Sequence, residues 1–365
     1  MRRESAVAAR GVLAALLGVI LAAGAGPAEG SPERVSGQAS QTLVATTVQP
    51  LTAAGYRHSL YVAPTGYVWS WGDNSSGQLG DGTLFSRADP LPVAMVPDVV
   101  TVAAGYRHTL AVRADGTVWA WGDNRYGQLG DGTTARRTVP VPVPWLSNVI
   151  AVAAGDYHSL ALSSDGTLWA WGHNGAGQLG DGTNTHRPFP IQVLAWDVVN
   201  IAAGRYHSLA VTSDGYARSW GENVHGQLGD GSTLNRNTPG WVWWLPPVKM
   251  MAAGHRHSLA LAEDGTVWGW GDNTQGQLGN GWSVRSTYPE QVYGLGVASF
   301  VAAGGAHSLA VTDDGEVFGW GDNRFGQLGD WPSEGFFYPV HIAGASGTVA
   351  VAAGYSHSLS ELPDG

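Results

Sequence analysis

One histidine recurs along this chain at a near-constant interval. It stands at His58, His108, His158, His207, His257, His307 and His357, spaced 50 residues apart and once 49. A chain that repeats itself at a fixed distance stacks copies of one structural unit, each burying its apolar face on the next. Each unit opens on Ala-Ala-Gly-x-x-His-Ser/Thr-Leu, as in the stretch Ala103 to Leu110. An Asp-Gly pair follows (Asp115-Gly116), then Val-Trp-x-Trp-Gly (Val118 to Gly122), then Gly-Gln-Leu-Gly-Asp-Gly (Gly127 to Gly132). A variable stretch containing Pro140, Pro142 and Pro144 closes this unit.

Each part has a physical reading. His108 to Val112 alternates with period two and is rich in β-formers, so it reads as a strand. Asp115-Gly116 marks a hairpin, because both residues tolerate tight-turn geometry. Val118 to Trp121 is the returning strand, and Gly127 to Gly132 a glycine-punctuated turn region. The prolines suit an outer edge strand, where no amide donor is needed. Neither face of the first strand carries charge (His108, Leu110 and Val112 on one, Thr109 and Ala111 on the other), so both are expected to be buried. Ten tryptophans recur at the two positions of the Trp-x-Trp segment. Burial of one removes about 150–250 Å² from water, about 4–6 kcal/mol gross at ~25 cal/mol/Å². A period near 50 fits a four-stranded propeller blade.

The combination of Ala-Ala-Gly-x-x-His-Ser-Leu, the Trp-Gly pair and Gly-Gln-Leu-Gly resembles the regulator of chromosome condensation repeat family, nearly without a break from residue 53 to 365. The resemblance implies an all-β, seven-bladed β-propeller. Its repeat units fall near 53–102, 103–152, 153–201, 202–251, 252–301, 302–351 and 352–365. The repeated histidines and Trp71, Trp121, Trp171, Trp220, Trp270 and Trp320 are then structural parts of the blades, not metal ligands. Several positions depart from the pattern. Arg218 and Phe318 replace the first tryptophan in two units, and Asn280 and Trp331 interrupt the Asp-Gly turn. Seven histidine segments share six Trp-Gly segments. The last blade is therefore incomplete, closed by an N-terminal strand at Gln41 to Pro50, or cut short by truncation.

Composition excludes several functions. The net charge is −10, with no lysine- or arginine-rich run, and an acidic surface repels phosphate and anionic lipid. Neither nucleic acid nor a membrane is an expected partner. The absence of cysteine excludes disulfides and thiolate chemistry. Arg2, Arg3 and Arg10 precede an apolar run from Gly11 to Ala25, with small residues after it. This is the layout of a secretory signal peptide over 1–30, and the expected location is extracytoplasmic. No Gly-x-Ser-x-Gly, phosphate-loop or zinc-protease motif occurs, so neither catalysis nor a cofactor is expected.

Variation inside a constant frame points to the candidate site. The two residues before each histidine are not constant along the chain: Tyr56-Arg57, Tyr106-Arg107, Asp156-Tyr157, Arg205-Tyr206, His255-Arg256, Gly305-Ala306 and Tyr355-Ser356. Scaffold positions would look alike in every blade. These pairs instead read as loop tips on one rim, rich in the tyrosine and arginine that dominate interface hot spots. The expected function is binding of a protein partner by a monomeric, exported propeller. Inhibition of a secreted enzyme such as a β-lactamase is one alternative. The guanine-nucleotide exchange that the resemblance implies is another. Arg125-Tyr126, Val224-His225 and Arg324-Phe325 form a second variable set, and Trp241, Trp243 and Trp244 an outer cluster.

Overall fold

The computed structural model describes residues 51–363. Among the described residues the regular structure is entirely strand. Six antiparallel sheets of four strands follow one another at 52–92, 99–142, 149–192, 198–241, 248–291 and 298–341. In the second blade the inner strand is Val99–Ala104, the second His108–Arg113, the third Val118–Gly122 and the outer Arg137–Pro142. The histidine strand and the Trp-Gly strand pair in one register throughout, with His108 opposite Gly122 and Thr109 opposite Trp121. The outer strand pairs with a register shift at Gly122, whose φ is 107°. A β-carbon there would lie 2.4 Å from the Arg107 carbonyl, so only glycine fits.

Two expectations need correction. Seven equal blades are not formed: six sheets have four strands, and the seventh histidine segment makes a sheet of two, Ala350–Ala353 and Ser358–Glu361. The reason is the shortage of Trp-Gly segments, since all six are used in the four-stranded blades. The repeat boundaries at 103, 153, 202, 252, 302 and 352 also cut through inner strands, because the valine-rich run before each Ala-Ala-Gly belongs to the same strand. The strand proposed at Gln41 to Pro50 and the segment 1–30 lie outside the described residues.

The two-stranded sheet joins the sixth blade to the first. Glu361 accepts the Leu51 amide at 2.9 Å, and the Tyr355 amide donates to the Gly55 carbonyl at 3.2 Å. The same turn-to-turn bond links Tyr56 to Gly105 and His255 to Gly304, whereas the Asp156 amide donates to the Arg205 carbonyl, one residue beyond the glycine. The glycine of each Ala-Ala-Gly is required by crowding. A β-carbon on Gly105 would meet its own blade's His108 ring at 2.3 Å and the next blade's Gly155 carbonyl at 2.5 Å.

Between neighbouring blades runs a repeated hydrogen-bonded seam. His58 Nε2 lies 3.1 Å from Thr109 Oγ1 of the next blade. Thr109 Oγ1 donates back to the Gln78 carbonyl of the first blade at 2.9 Å. Trp121 Nε1 donates to that same carbonyl at 2.8 Å. The hydroxyl proton is thereby committed, so the histidine must be the donor and carries its hydrogen on Nε2. The set recurs as His108–Ser159–Gln128–Trp171, His158–Ser208–Gln178–Trp220, His207–Ser258–Gln227–Trp270 and His257–Ser308–Gln277–Trp320. Trp121, Trp171, Trp220, Trp270 and Trp320 are fully buried, each a plug between two sheets. The first tryptophan of each pair differs: Trp119, Trp169 and Trp268 are only half-buried, because they lie further along the strand, away from the Gln-Leu loop.

These seams make stability depend on pH. Burial lowers the ring pKa from 6.5 to about 3 at His58, His108, His207 and His257, and to about 4 at His307. Nδ1 of each of these rings is buried without a partner, so a second proton has no acceptor. The unfolded chain binds protons near pH 6.5 and the folded one does not, so stability is full above that value. It falls as pH drops toward the folded pKa, by up to about 1.4 kcal/mol per pH unit for each histidine. The urea midpoint is expected to drop steeply between pH 7 and pH 5; an unchanged midpoint would contradict buried neutral rings. Ser208→Ala strands the His158 N–H and is expected to cost about 1–3 kcal/mol. The exposed Ser213→Ala should cost less than about 0.5 kcal/mol. Denaturant unfolding of the two variants checks this.

Candidate functional site

Antiparallel order sends alternate connections to opposite ends of the ring. The inner-to-second turns and the third-to-outer loops share one end, as the bonds from the Asp73 and Asp123 amides to the Arg57 and Arg107 carbonyls show. The Asp-Gly hairpins and the blade-to-blade connections share the other, where Val99 and Val149 bond to Gly66 and Gly116. All seven variable pairs therefore lie at a single end, around the axis.

The two members of each pair do different things. The first members, Tyr56, Tyr106, Asp156, Arg205, His255, Gly305 and Tyr355, line a cavity of about 170 Å³ at the mouth of the central channel. Tyr56 lies between Tyr106 and Tyr355, with ring centroids 4.2 and 4.4 Å away. Asp156 faces Arg205 at 3.7 Å and His255 at 3.5 Å, and His255 meets Tyr355 edge-on at 5.4 Å. One side of the mouth is thus aromatic, and the other carries the Asp156–Arg205 pair beside His255. The second members form an outer tier. Arg57 and Arg107 border a neighbouring hollow with Asp73 and Ser75, each packed over the tyrosine of its own pair at 5.4 and 5.2 Å. Tyr157 stacks on Tyr206 at 6.2 Å, and Arg205 lies 4.9 Å over the Tyr206 ring. Burial, then the Asp156 carboxylate, pushes the Tyr157 phenol up to about 12, so it stays a neutral donor at physiological pH. Arg256 sits half-buried on the same tier.

Sequence reasoning missed part of this tier. His173 and His186 lie 4.6 Å apart and close on Tyr126, at 4.7 and 5.2 Å. With Tyr157 and Tyr206 they form one aromatic patch across the second to fourth blades. The available signal was His173, which stands where the other blades have Asp73, Asp123, Glu222, Asp272 and Asp322. Burial, then the neighbouring His186, lowers its pKa to about 4, so the His173 ring is uncharged near neutrality.

The acidic loops are occupied internally. Asp81, Asp131 and Asp181 pair with Arg87, Arg137 and Arg187 at 3.0, 2.7 and 2.7 Å and accept from Thr83, Thr133 and Thr183. For Asp131, burial alone would raise the pKa, but the Thr133 and Arg137 bonds outweigh it and leave it low. Where Asn280 replaces the acid, Ser286 replaces the arginine, so the pair is lost as a unit. The Arg218 guanidinium carbon lies over Trp241, 3.2 Å from the ring centroid, which ties one departure from the repeat to the outer tryptophan cluster.

Comparison with known proteins agrees with this architecture. The RCC1-like domain matches residues 7–246, and the regulator of chromosome condensation (RCC1) repeat matches 248–277, 264–311, 298–327 and 314–360. Human WBSCR16 superposes with a TM-score of 0.78 at 27% identity, over 87% of this chain and 88% of that one. Prp20p from Saccharomyces cerevisiae, described with its binding properties to Gsp1p and histones, gives 0.74 at 27% identity, over 85% and 81%. Yeast RCC1 (Prp20) bound by Kap60 gives 0.75 at 28%, over 85% and 79%. Because the RCC1-like domain matches more than half of its length, the chain belongs to the RCC1-like domain family.

Proposed function

We propose that this chain is an exported protein-binding propeller whose docking surface is the tyrosine- and arginine-rich mouth of the channel. The observation that carries the reading is the convergence of seven variable tips, six of them different in sequence, on one end of a frame whose buried parts repeat. Interfaces favour this chemistry, since tyrosine and arginine combine large apolar area with fixed polar ends. The binding of Gsp1p and histones by Prp20p supports a protein as the occupant. In this reading the C-terminal two-stranded sheet takes the seventh blade position. The ring works as a monomeric binding module without catalysis, and residues 1–30 direct its export. Binding of a GTPase-type partner is the second reading, favoured by the 27–28% identity to Prp20p.

Export and docking are tested separately. Residues 1–30 fused to a reporter active only outside the cytoplasm should yield activity; a silent fusion removes the exported setting. For docking, the partner captured by the wild-type ring should be compared with that captured by Tyr56→Ala/Tyr106→Ala/Tyr355→Ala. Hot-spot losses of about 2 kcal/mol or more predict an affinity at least about 30-fold weaker. Trp145→Ala, at the opposite end and 70% exposed, should bind normally. Unchanged affinity in the triple variant, with circular dichroism showing both variants folded, would remove the rim from the interface.

A further inference from the structure

The arginines of this chain fall into two kinds. Arg87, Arg137, Arg187 and Arg236 each pair with the aspartate of their own Gly-Asp-Gly loop, and Arg125 and Arg324 pair with Asp123 and Asp322. Around the mouth the guanidiniums lack such partners. Arg57, Arg107 and Arg256 make no ion pair among the described residues, and Arg205 has only Asp156 at 3.7 Å. Nε of Arg107, Arg205 and Arg256 is buried without a hydrogen-bond partner. A buried cation is expensive unless some group accepts from it. Rings hold three of these side chains instead: Arg57, Arg107 and Arg205 lie 5.4, 5.2 and 4.9 Å from the centroids of Tyr56, Tyr106 and Tyr206. Stacking positions the guanidinium plane and leaves its N–H fork unoccupied.

Charge is divided between the two ends of the ring. Five hairpins at the far end carry an Asp-Gly pair, and Glu263 and Asp313 add a second acid to two of them. Among the described residues only Arg113, Arg218 and Lys249 oppose these acids there. In a chain of net charge −10, unpaired cations are therefore confined to the mouth, where they repel least and attract an acidic partner most. They also stand on both sides of the channel. Arg57 and Arg107 belong to the first two blades, Arg205 and Arg256 to the fourth and fifth. The tyrosine cluster of Tyr56, Tyr106 and Tyr355 lies beside the first pair.

We propose that the occupant of the mouth is an acidic segment of another protein, which crosses the channel with carboxylates at both ends and one apolar side chain between them. Its carboxylates accept from Arg57 and Arg107 on one side and from Arg205 and Arg256 on the other, and its apolar side chain packs on the tyrosines. This occupant rests on the reading of the mouth as a docking surface. Arginine clusters recognise carboxylates in this way, because the planar fork matches two oxygens at once. Asp156 separates a peptide from a nucleic acid. A phosphate backbone carries charge at every unit and sets some of it against that carboxylate. A peptide places acids only where guanidiniums stand and can donate a backbone amide to Asp156.

The test is calorimetric titration of the full chain with the peptide acetyl-Asp-Glu-Asp-Gly-Phe-Gly-Asp-Glu-Asp-amide, with its Asn/Gln counterpart, and with a short DNA duplex. The acidic peptide should bind saturably, more weakly as salt is raised, and at least about tenfold more tightly than its neutral counterpart. Arg57→Gln/Arg107→Gln/Arg256→Gln, shown folded by circular dichroism, should lose at least about tenfold in affinity for it. Lys249→Gln, at the hairpin end, should bind it as the wild type does. Absence of binding at millimolar peptide, equal affinity for the neutral peptide, or tighter binding of the duplex overturns the proposal. So does a salt-sensitive dimer of the chain alone that the arginine variant disperses, since a second copy would then fill the mouth. The natural partner separates this proposal from the reading beneath it. If it is lost by Tyr56→Ala/Tyr106→Ala/Tyr355→Ala but kept by the arginine variant, the acidic occupant fails while the docking surface stands.

Discussion

The structure depends on one four-part contact between neighbouring blades: an imidazole N–H, a hydroxyl, a backbone carbonyl and an indole N–H. A propeller has no continuous backbone ladder around its ring, because hydrogen bonding runs within each sheet. Apart from isolated backbone bonds between turns, side chains must therefore hold sheet to sheet. Here two donors share one Gln carbonyl, and the histidine on the first blade reaches the hydroxyl on the second. Every member is buried in the complete seams, so each is costly to leave unpaired and the set specifies one spacing and one rotation between blades. The buried tryptophan adds apolar area at the same point, joining packing and polar satisfaction.

That constancy makes the mouth variable. Because the seams fix where each Ala-Ala-Gly turn ends, the two residues after it are free of structural duty and can differ. The result is a ring of tyrosines on one side of the axis and an Asp156–Arg205–His255 cluster on the other. Among the described residues, the two seams at the closure each lack one of the four parts.

Much of this was legible in the residues. Strand alternation, the Asp-Gly hairpins and the proline-bearing outer strands follow from local chemistry, and the structure places them so. The grouping of the variable pairs at one end follows from antiparallel order once four strands per unit are accepted. Three things were not legible. Inner strands begin before Ala-Ala-Gly, in segments such as Val99–Thr101 and Val248–Met250, where the repeat is less regular. The split of each pair into a mouth residue and an outer residue depends on how the turn is oriented against the next blade. The patch of Tyr126, His173 and His186 joins loops from different blades, and no spacing rule announces such a meeting.

The most direct test of the seam is the protonation state of its histidines. Long-range nitrogen–proton correlation spectra at neutral pH report, for each imidazole, which nitrogen carries hydrogen. The account predicts that the buried rings are neutral, with the hydrogen on Nε2 and slow to exchange with solvent. Imidazolium forms, or neutral rings with the hydrogen on Nδ1, would contradict it, because neither can make the contact on which the ring is built.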